Sequence, residues 1–224
     1  MDFVPLPQRF YEPSAKLVAP LLLGHWLVRR SAAGICGGPI VEAEAYLVDD
    51  PASHGYIGET GRNRAMYGPP GRAYVYLIYG YHYCVNAVCH PVGKAEAVLI
   101  RAIEPLFGED VMRRHRSTAH PLALTNGPAK LCAALDIARS LDHADLCAAG
   151  SPLIIAANPD LEIFRAARGP VVTTTRVGLG KAAHLPLRFY LEQSPYVSRR
   201  APRPRASRKT KTSAAASSRA RRRC

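Results

Sequence analysis

Several things are missing from these 224 residues. No apolar run reaches the roughly 20 residues that a membrane-spanning helix needs. The opening stretch, MDFVPLPQRFYEP, has an acidic residue at position 2 and no unbroken apolar block behind a basic head, so no secretory leader is expected. Cysteines stand at positions 36, 84, 89, 132, 147 and 224, but no two form a C-x-x-C pair, which argues against a zinc site. Most sit among apolar residues and read as small buried hydrophobes in a reducing, cytoplasmic setting. The chain has no Walker phosphate loop, no G-x-S-x-G, and no His-x-Glu followed by Pro-Cys-x-x-Cys, so those nucleotide-hydrolysing, serine-hydrolase and zinc-deaminase classes lose their signatures. There is no internal repeat. No metal and no cofactor are expected.

Acidic residues are absent from the C-terminal stretch, which is otherwise rich in charge. Residues 199–224 hold 11 of the 30 Lys/Arg and none of the 17 Asp/Glu, which leaves 19 basic against 17 acidic residues in 1–198. The formal charge of +13 is therefore carried mainly by the tail. A basic tail suits a polyanion, DNA included, but does not show that the folded part binds one. Its Arg, Lys, Ser, Ala and Pro composition is that of a disordered segment. The first 198 residues are long enough for one domain with its own core, and 48% of the chain is hydrophobic.

What is present is concentrated between Ile40 and Ile103. Ser14 can cap a short helix that Pro20 restarts. Gly34, Gly37 and Gly38 read as a hairpin turn between strands at about 25–31 and 39–47. On the second strand Val41, Ala43, Ala45 and Leu47 share one face, and Glu42, Glu44 and Tyr46 share the other. Asp49 to Gly71 is a long polar segment, of a length usually functional in a compact domain. Ala73 to Ile78 and Tyr81 to Val88 form a hairpin with Tyr79-Gly80-Tyr81 at its tip, and Ala95 to Ile103 is a third strand interrupted by Arg101. Glu109 to His120 reads as a short helix and loop. Thr125 or Asn126 caps a further helix with Pro128 in its first turn. Strands are expected at 153–157, 162–165 and 187–191, with a glycine-bearing loop at Arg176 to Gly180.

Two carboxylates on one strand face could hold a water and take its proton, as carboxylate pairs do in glycosidic hydrolysis. The same alternation is also the ordinary pattern of a solvated strand face, and parity does not separate Glu42 from Glu44. Six tyrosines, at 46, 74, 76, 79, 81 and 83, offer flat faces for a nucleobase or sugar, although core packing accounts for most tyrosines. Tyr79 is the exception, because a bulky ring beside Gly80 at a hairpin tip is badly placed for a core. His54 lies in the polar loop, where it could meet a ligand near Tyr46. Arg62 and Arg64 could hold phosphate or be plain solvated charges. Arg101, within AVLIRAI, needs an anionic partner if it points inward, and Glu44 is a candidate.

These residues resemble a known family. VEAEAY (41–46), SH (53–54), RN (62–63), MYGPPG (66–71), YVYLIYGYHYCVN (74–86), AVLIRAIEP (97–105), LTNGPAKLC (124–132), RVG (176–178) and LRFY (187–190) resemble, in order, the 3-methyladenine DNA glycosylases of the alkyladenine (methylpurine) type. The resemblance implies an α+β fold: one compact domain, a curved antiparallel sheet that is partly open and barrel-like, flanking helices and a protruding β-hairpin. It further implies that Glu44 activates the hydrolytic water, that Arg101 helps hold it, and that Val177 contributes through its backbone carbonyl. Tyr46, His54 and Tyr76 match aromatic walls around a flipped purine, Asn86 the residue that crowds the guanine 2-amino group, and Tyr79 the side chain inserted into the duplex. No lysine stands at the motif to form a Schiff base, so a monofunctional glycosylase leaving an abasic site is implied. The expected partner is double-stranded DNA with damaged purines. The expected form is a monomer, in the cytoplasm of a bacterium and associated with its nucleoid. The pattern departs at Ala43, where the family usually has threonine, and at Ala129, where glycine is common. A non-catalytic nucleic-acid-binding module and a glycosidase of small nucleosides are the competing classes.

Overall fold

The longest strand is the one that carries the paired glutamates. The computed structural model describes residues 2–118 and 120–202. Strand β1 runs Trp26–Ser31, and β2 runs Gly34–Tyr46. The turn between them is at residues 32–33, so the three glycines expected to form it lie inside β2 instead. Gly37 and Gly38 are there because other backbone segments pass very close. A Cβ at Gly38 would lie 1.9 Å from the Glu104 carbonyl oxygen, and one at Gly37 2.1 Å from that of Leu27.

The hairpin is where the sequence put it, with β3 at Ala73–Ile78 and β4 at His82–Cys89. Strand β5 follows at Glu96–Ile103, then β6 at Leu153–Ala156, β7 at Val171–Thr174 and β8 at Arg188–Leu191. Among the described residues these eight strands form one antiparallel sheet that does not close, ordered β3-β4-β5-β2-β1-β6. Strand β8 pairs with β2 over Glu42–Glu44 and carries β7 on its other side. The first half of β2 thus serves β1, and its second half lies between β5 and β8.

Four α-helices flank the sheet: α1 (Ala15–Leu22), α2 (Glu109–His115), α3 (Pro128–Ala134) and α4 (Leu161–Arg168). The chain is α+β and forms a single compact domain. Helix α1 does not restart at Pro20; it runs through to Leu22. Proline removes one helical donor, and the carbonyl it leaves free belongs to Lys16, which is exposed to water. The α1 N-terminus is capped from a distance: Glu96 Oε2 accepts from the Ala15 amide and the Ser14 hydroxyl, both at 2.7 Å. Helix α3 begins after Gly127 rather than Thr125 or Asn126, because the Thr125 hydroxyl donates to the Ile103 carbonyl instead. Residues 162–165, expected as a strand, lie in α4, where the Arg165 guanidinium donates to the carbonyls of Leu21 and Leu23.

One face of the sheet packs α1 and α3 over the principal core, with Val41, Ala43, Ala45, Val75, Val85 and Ile100 fully or nearly buried. This is the odd-numbered face of β2, as strand parity required. A smaller cluster on the other face, including Met66, Tyr74, Val88 and Ala97, seats the loop that precedes the hairpin. No helix of the described residues is long and apolar enough to cross a membrane. Of the segment expected to be a tail, residues 203–224 lie outside the described residues. Residues 199–201 are hydrogen-bonded onto β8, through Arg199 O to Arg188 and the Ala201 amide to the Tyr190 hydroxyl.

The core also holds a titratable group. His25 is buried, its Nδ1 accepts from the Asn158 amide at 3.3 Å, and Phe10 meets its ring edge-on at 5.7 Å. Burial, and secondarily the Arg165 charge, lowers its pKa to about 4. The unfolded imidazole titrates near ~6.5, so acid protonates the unfolded chain first. The stability that neutral His25 contributes is complete above that value and is lost as the pH falls towards 4. Between pH 7 and 5 the loss amounts to about 2 kcal/mol. Urea midpoints at the two pH values should fall further for the wild type than for His25→Gln; equal falls would show that His25 does not titrate in this way.

Candidate active site

The register of β2 against β5 builds the site. Ala43 pairs with Ile100 but Glu42 pairs with Ala102, so Arg101 is an extra residue bulged out between them. Its side chain shares the face of Glu44 and comes to lie between the two glutamates. The same face continues across the sheet: Glu44 pairs with Leu99, Leu99 with Asn86, and Asn86 with Tyr74, while Tyr76 pairs with Cys84 one step along. Strand alternation alone thus lines up Glu44, Asn86, Tyr74, Tyr76 and Arg101 on one concave surface.

The loop 49–71 closes that surface from above and is itself firmly held. Asn63 Nδ2 donates to the carbonyls of His54 and Gly58, and its Oδ1 accepts from the Thr60 amide and hydroxyl. The Ser53 hydroxyl accepts from the Gly55 amide. His54 is thereby set over the hairpin, with Nδ1 2.8 Å from the Tyr74 hydroxyl and its ring edge-on to Tyr76 at 4.5 Å. Tyr74 and Tyr76 stack at 5.2 Å. The resulting cavity has a volume of about 340 Å³ and is lined by Tyr46, His54, Met66, Tyr74, Tyr76, Cys84, Asn86, Leu99, Arg101, Val177 and the α3 entry at Pro128 and Ala129, among others. It lies at the small end of the roughly 300–1,000 Å³ typical of small-molecule sites.

At the cavity's edge sits a buried carboxylate. Glu44 is fully buried; its Oε1 accepts from the Val177 amide at 2.8 Å and lies 3.2 Å from Arg101 Nη1, and its Oε2 accepts from the Tyr46 hydroxyl at 3.0 Å. Oε2 retains one acceptor position not used by these contacts. Glu42 is equally buried but accepts four hydrogen bonds: its Oε1 from Arg101 Nε, Arg188 Nη1 and the Ser198 hydroxyl, its Oε2 from the Ser198 amide, all within 2.7–2.9 Å. Two glutamates and two arginines therefore make a buried, neutral quartet, the condition under which such charges are tolerated. Burial by itself would lower the Arg101 pKa, but the Glu44 and Glu42 charges outweigh it and raise it above the usual value.

A second buried pair fixes the neighbouring loop. Arg176 grips both carboxylate oxygens of Asp50, donates to the Ala45 carbonyl at 3.0 Å, and lies 4.6 Å over the Tyr46 ring. It directly precedes Val177 and so delivers the Val177 amide to Glu44. Burial raises the pKa values of the Tyr46 and Tyr76 phenols well above their ordinary range, with the neighbouring Glu44 and Cys84 respectively adding to it, and raises Tyr74 to about 12. Burial, then Arg62, lowers that of His54. The cavity walls are thus neutral and aromatic, and the positive charge nearest them is already committed to carboxylates.

The structure brings the sequence-derived residues Arg101, Val177, Tyr46, His54, Tyr76 and Asn86 to the lining of this one cavity, and Glu44 lies directly behind Tyr46, Arg101 and Val177. Asn86 is held by its Nδ2, which donates to the Tyr74 carbonyl at 3.0 Å. Tyr79 also reaches the cavity rim, at the hairpin tip, and is 77% exposed with nothing near Gly80 to cover it. Arg62 and Arg64 stand apart from the cavity floor, exposed on the loop. Arg62 donates to the Leu77 carbonyl at the hairpin's flank, and Arg64 pairs with Glu59 at 3.3 Å. Asp50, Arg176, Arg188 and Ser198 were not anticipated individually. Arg176 and Arg188 lie within the RVG and LRFY blocks, and an arginine amid apolar strand residues is the signal that marked Arg101; Asp50 and Ser198 carry no such mark.

The family model described as "Methylpurine-DNA glycosylase (MPG)" matches residues 9–195. The chain belongs to this family. A protein of Methanoculleus marisnigri named "Putative 3-methyladenine DNA glycosylase" is 50% identical over 196 residues, which cover 87% of this chain and 99% of that protein. Proteins of the same name are 44% identical in Carboxydothermus hydrogenoformans (87% of this chain, 99% of the relative) and 46% identical in Rhodopseudomonas palustris strain BisB5 (87% and 90%). The family and the relatives' names support a DNA glycosylase acting on alkylated bases.

Proposed function

We propose that the protein removes damaged purines from double-stranded DNA by hydrolysing their N-glycosidic bond, leaving an abasic site. The observation that carries this reading is Glu44: a buried carboxylate held by three donors, with one acceptor position free, at the edge of a cavity walled by Tyr46, His54 and Tyr76. A purine rotated out of the duplex would lie between these rings. A base that stacks and pairs poorly costs less to extrude, by a few kcal/mol at most. Tyr79, projecting from the hairpin, would fill the vacated position and support a bent duplex.

Electron-rich aromatic faces attract a cationic methylated purine, and no uncommitted cation stands among the described residues of the cavity to repel it. Such a base departs as a neutral molecule, which makes its C–N bond the weaker one. As that bond breaks, positive charge develops at the sugar C1′ and is stabilised by the Glu44 carboxylate. Glu44 accepts a proton from the attacking water, Arg101 orients both, and the Val177 carbonyl offers the water a further acceptor. Asn86, on the cavity wall, would crowd the 2-amino group of a guanine, a basis for sparing normal guanine. Neutral bases such as hypoxanthine would rely on stacking and on hydrogen bonds with the cavity rim. Arg62, Arg64 and the basic residues from Arg199 onward would add salt-sensitive attraction to phosphates. The reading treats 1–198 as the glycosylase domain, acting as a monomer without a cofactor.

The deciding experiment is base release from a duplex carrying 7-methylguanine or hypoxanthine. Purified protein is expected to liberate the free base and leave a site cleaved by alkali, without cutting the strand itself. Tight binding with no released base would favour the non-catalytic module instead.

A further inference from the structure

Glu42 has no part in the chemistry above, yet it accepts more hydrogen bonds than Glu44 does. Two of its four donors come from a single residue, Ser198, on the segment that returns after β8. Ser198 is half-buried and does not line the cavity. We infer that the segment from Ser194 to Ala201 is a strap that positions the catalytic carboxylate, with Ser198 as a positioning residue acting through Arg101. The inference rests on Glu44 being the base in the reaction proposed above.

The geometry of the Arg101 fork carries the argument. Its Nε donates to Glu42 Oε1 at 2.9 Å, its Nη2 to the Ser198 hydroxyl at 3.1 Å, and its Nη1 faces Glu44 Oε1 at 3.2 Å. The Ser198 hydroxyl in turn donates to Glu42 Oε1 at 2.9 Å, so it both occupies Nη2 and satisfies Glu42. Guanidinium and carboxylate groups prefer a parallel two-bond arrangement. With the hydroxyl gone, Glu42 is short of a donor and Nη2 is short of an acceptor. The fork then gains by turning both Nε and Nη2 onto Glu42, which draws Nη1 away from Glu44. Ser198 therefore keeps Arg101 shared between the two carboxylates.

The strap is tied down independently of that hydroxyl. The Ser198 amide donates to Glu42 Oε2 at 2.7 Å, Arg188 to the Arg199 carbonyl at 2.6 Å, the Ala201 amide to the Tyr190 hydroxyl at 3.1 Å, and Arg200 Nη1 to the Glu192 carbonyl. Removing one hydroxyl should therefore leave the segment in place and alter only how Arg101 is divided.

The test compares Ser198→Ala and Ser198→Thr with the wild type in single-turnover base release at saturating protein, together with lesion-duplex Kd and melting temperature. The alanine variant is expected to release base about ten-fold more slowly with Kd changed less than about two-fold, and the threonine variant, which keeps the hydroxyl, to recover most of the rate. Alanine matching an active wild type would overturn the positioning role and leave the glycosylase reading intact. A threonine variant as slow as alanine, with both melting equally early, would make Ser198 merely structural and would also overturn it. A wild type that releases no base would sink the glycosylase reading itself, and this inference with it.

Discussion

Replacing Glu44 by glutamine is expected to slow single-turnover base release by about 10²–10⁴-fold, the usual worth of a positioned general base, while lesion-duplex affinity holds or improves. The substitution is close to isosteric. The amide oxygen introduced there can still accept from Val177, and the new NH2 can donate to the Tyr46 oxygen, which then acts as acceptor. What is lost is the capacity to take a proton and the negative charge beside the developing oxocarbenium ion. The measurement is a rapid-quench time course with 7-methylguanine in the duplex, alongside a binding isotherm. A rate within a few-fold of the wild type would show that Glu44 is not the base. The same change at Glu42 should behave differently. Its four donors include two buried arginines, so Glu42→Gln disturbs packing of the quartet first and chemistry only through Arg101.

That contrast marks how far the sequence alone could go. Period-two alternation correctly placed Glu42, Glu44 and Tyr46 opposite the core face, and Gly80 correctly put Tyr79 at an exposed tip. Both are local properties of a strand and a turn. Which glutamate is held by more donors depends on Arg188 and Ser198, roughly 150 residues further on and brought back by β8, and nothing in the VEAEAY stretch encodes that. The bulge that turns Arg101 towards both glutamates is likewise a property of two strands in register, not of either one. The segments that differ from expectation have a similar cause. Residues 162–165, Glu-Ile-Phe-Arg, span too little to separate period 2 from period 3.6, and the arbiter was packing: Leu161 and Phe164 lie against Gly24. Strand β7 carries a legible Val-Val-Thr-Thr signal, although it is not among the expected strands. It matters because β7 leads directly into Arg176 and Val177. Gly37 and Gly38 suggest a turn, when their actual use is close passage of the Leu27 and Glu104 backbones.

Arg101→Met should destabilise the protein by about 3–5 kcal/mol, the loss expected when one member of a buried charge cluster is removed. At roughly 2–4 °C per kcal/mol for a domain of this size, the melting temperature should drop by about 10 °C. The reasoning is charge balance. Glu42 and Glu44 are both fully buried, and Arg101 and Arg188 neutralise them. Without Arg101, Arg188 still serves Glu42, but Glu44 keeps only the Val177 amide and the Tyr46 hydroxyl, two neutral donors for a full negative charge. The pair can be tested as a unit. In Arg101→Met/Glu44→Gln the excess charge is gone, so part of the lost stability should return even though a second side chain has been altered. Urea unfolding of the four proteins in the cycle measures this directly. A double variant less stable than Arg101→Met would mean that Arg101 is held by shape rather than by the two carboxylates. Recovery of stability without recovery of base release would separate the two demands on this arginine: it allows a carboxylate to be buried at the cavity's edge, and it holds that carboxylate ready for a water.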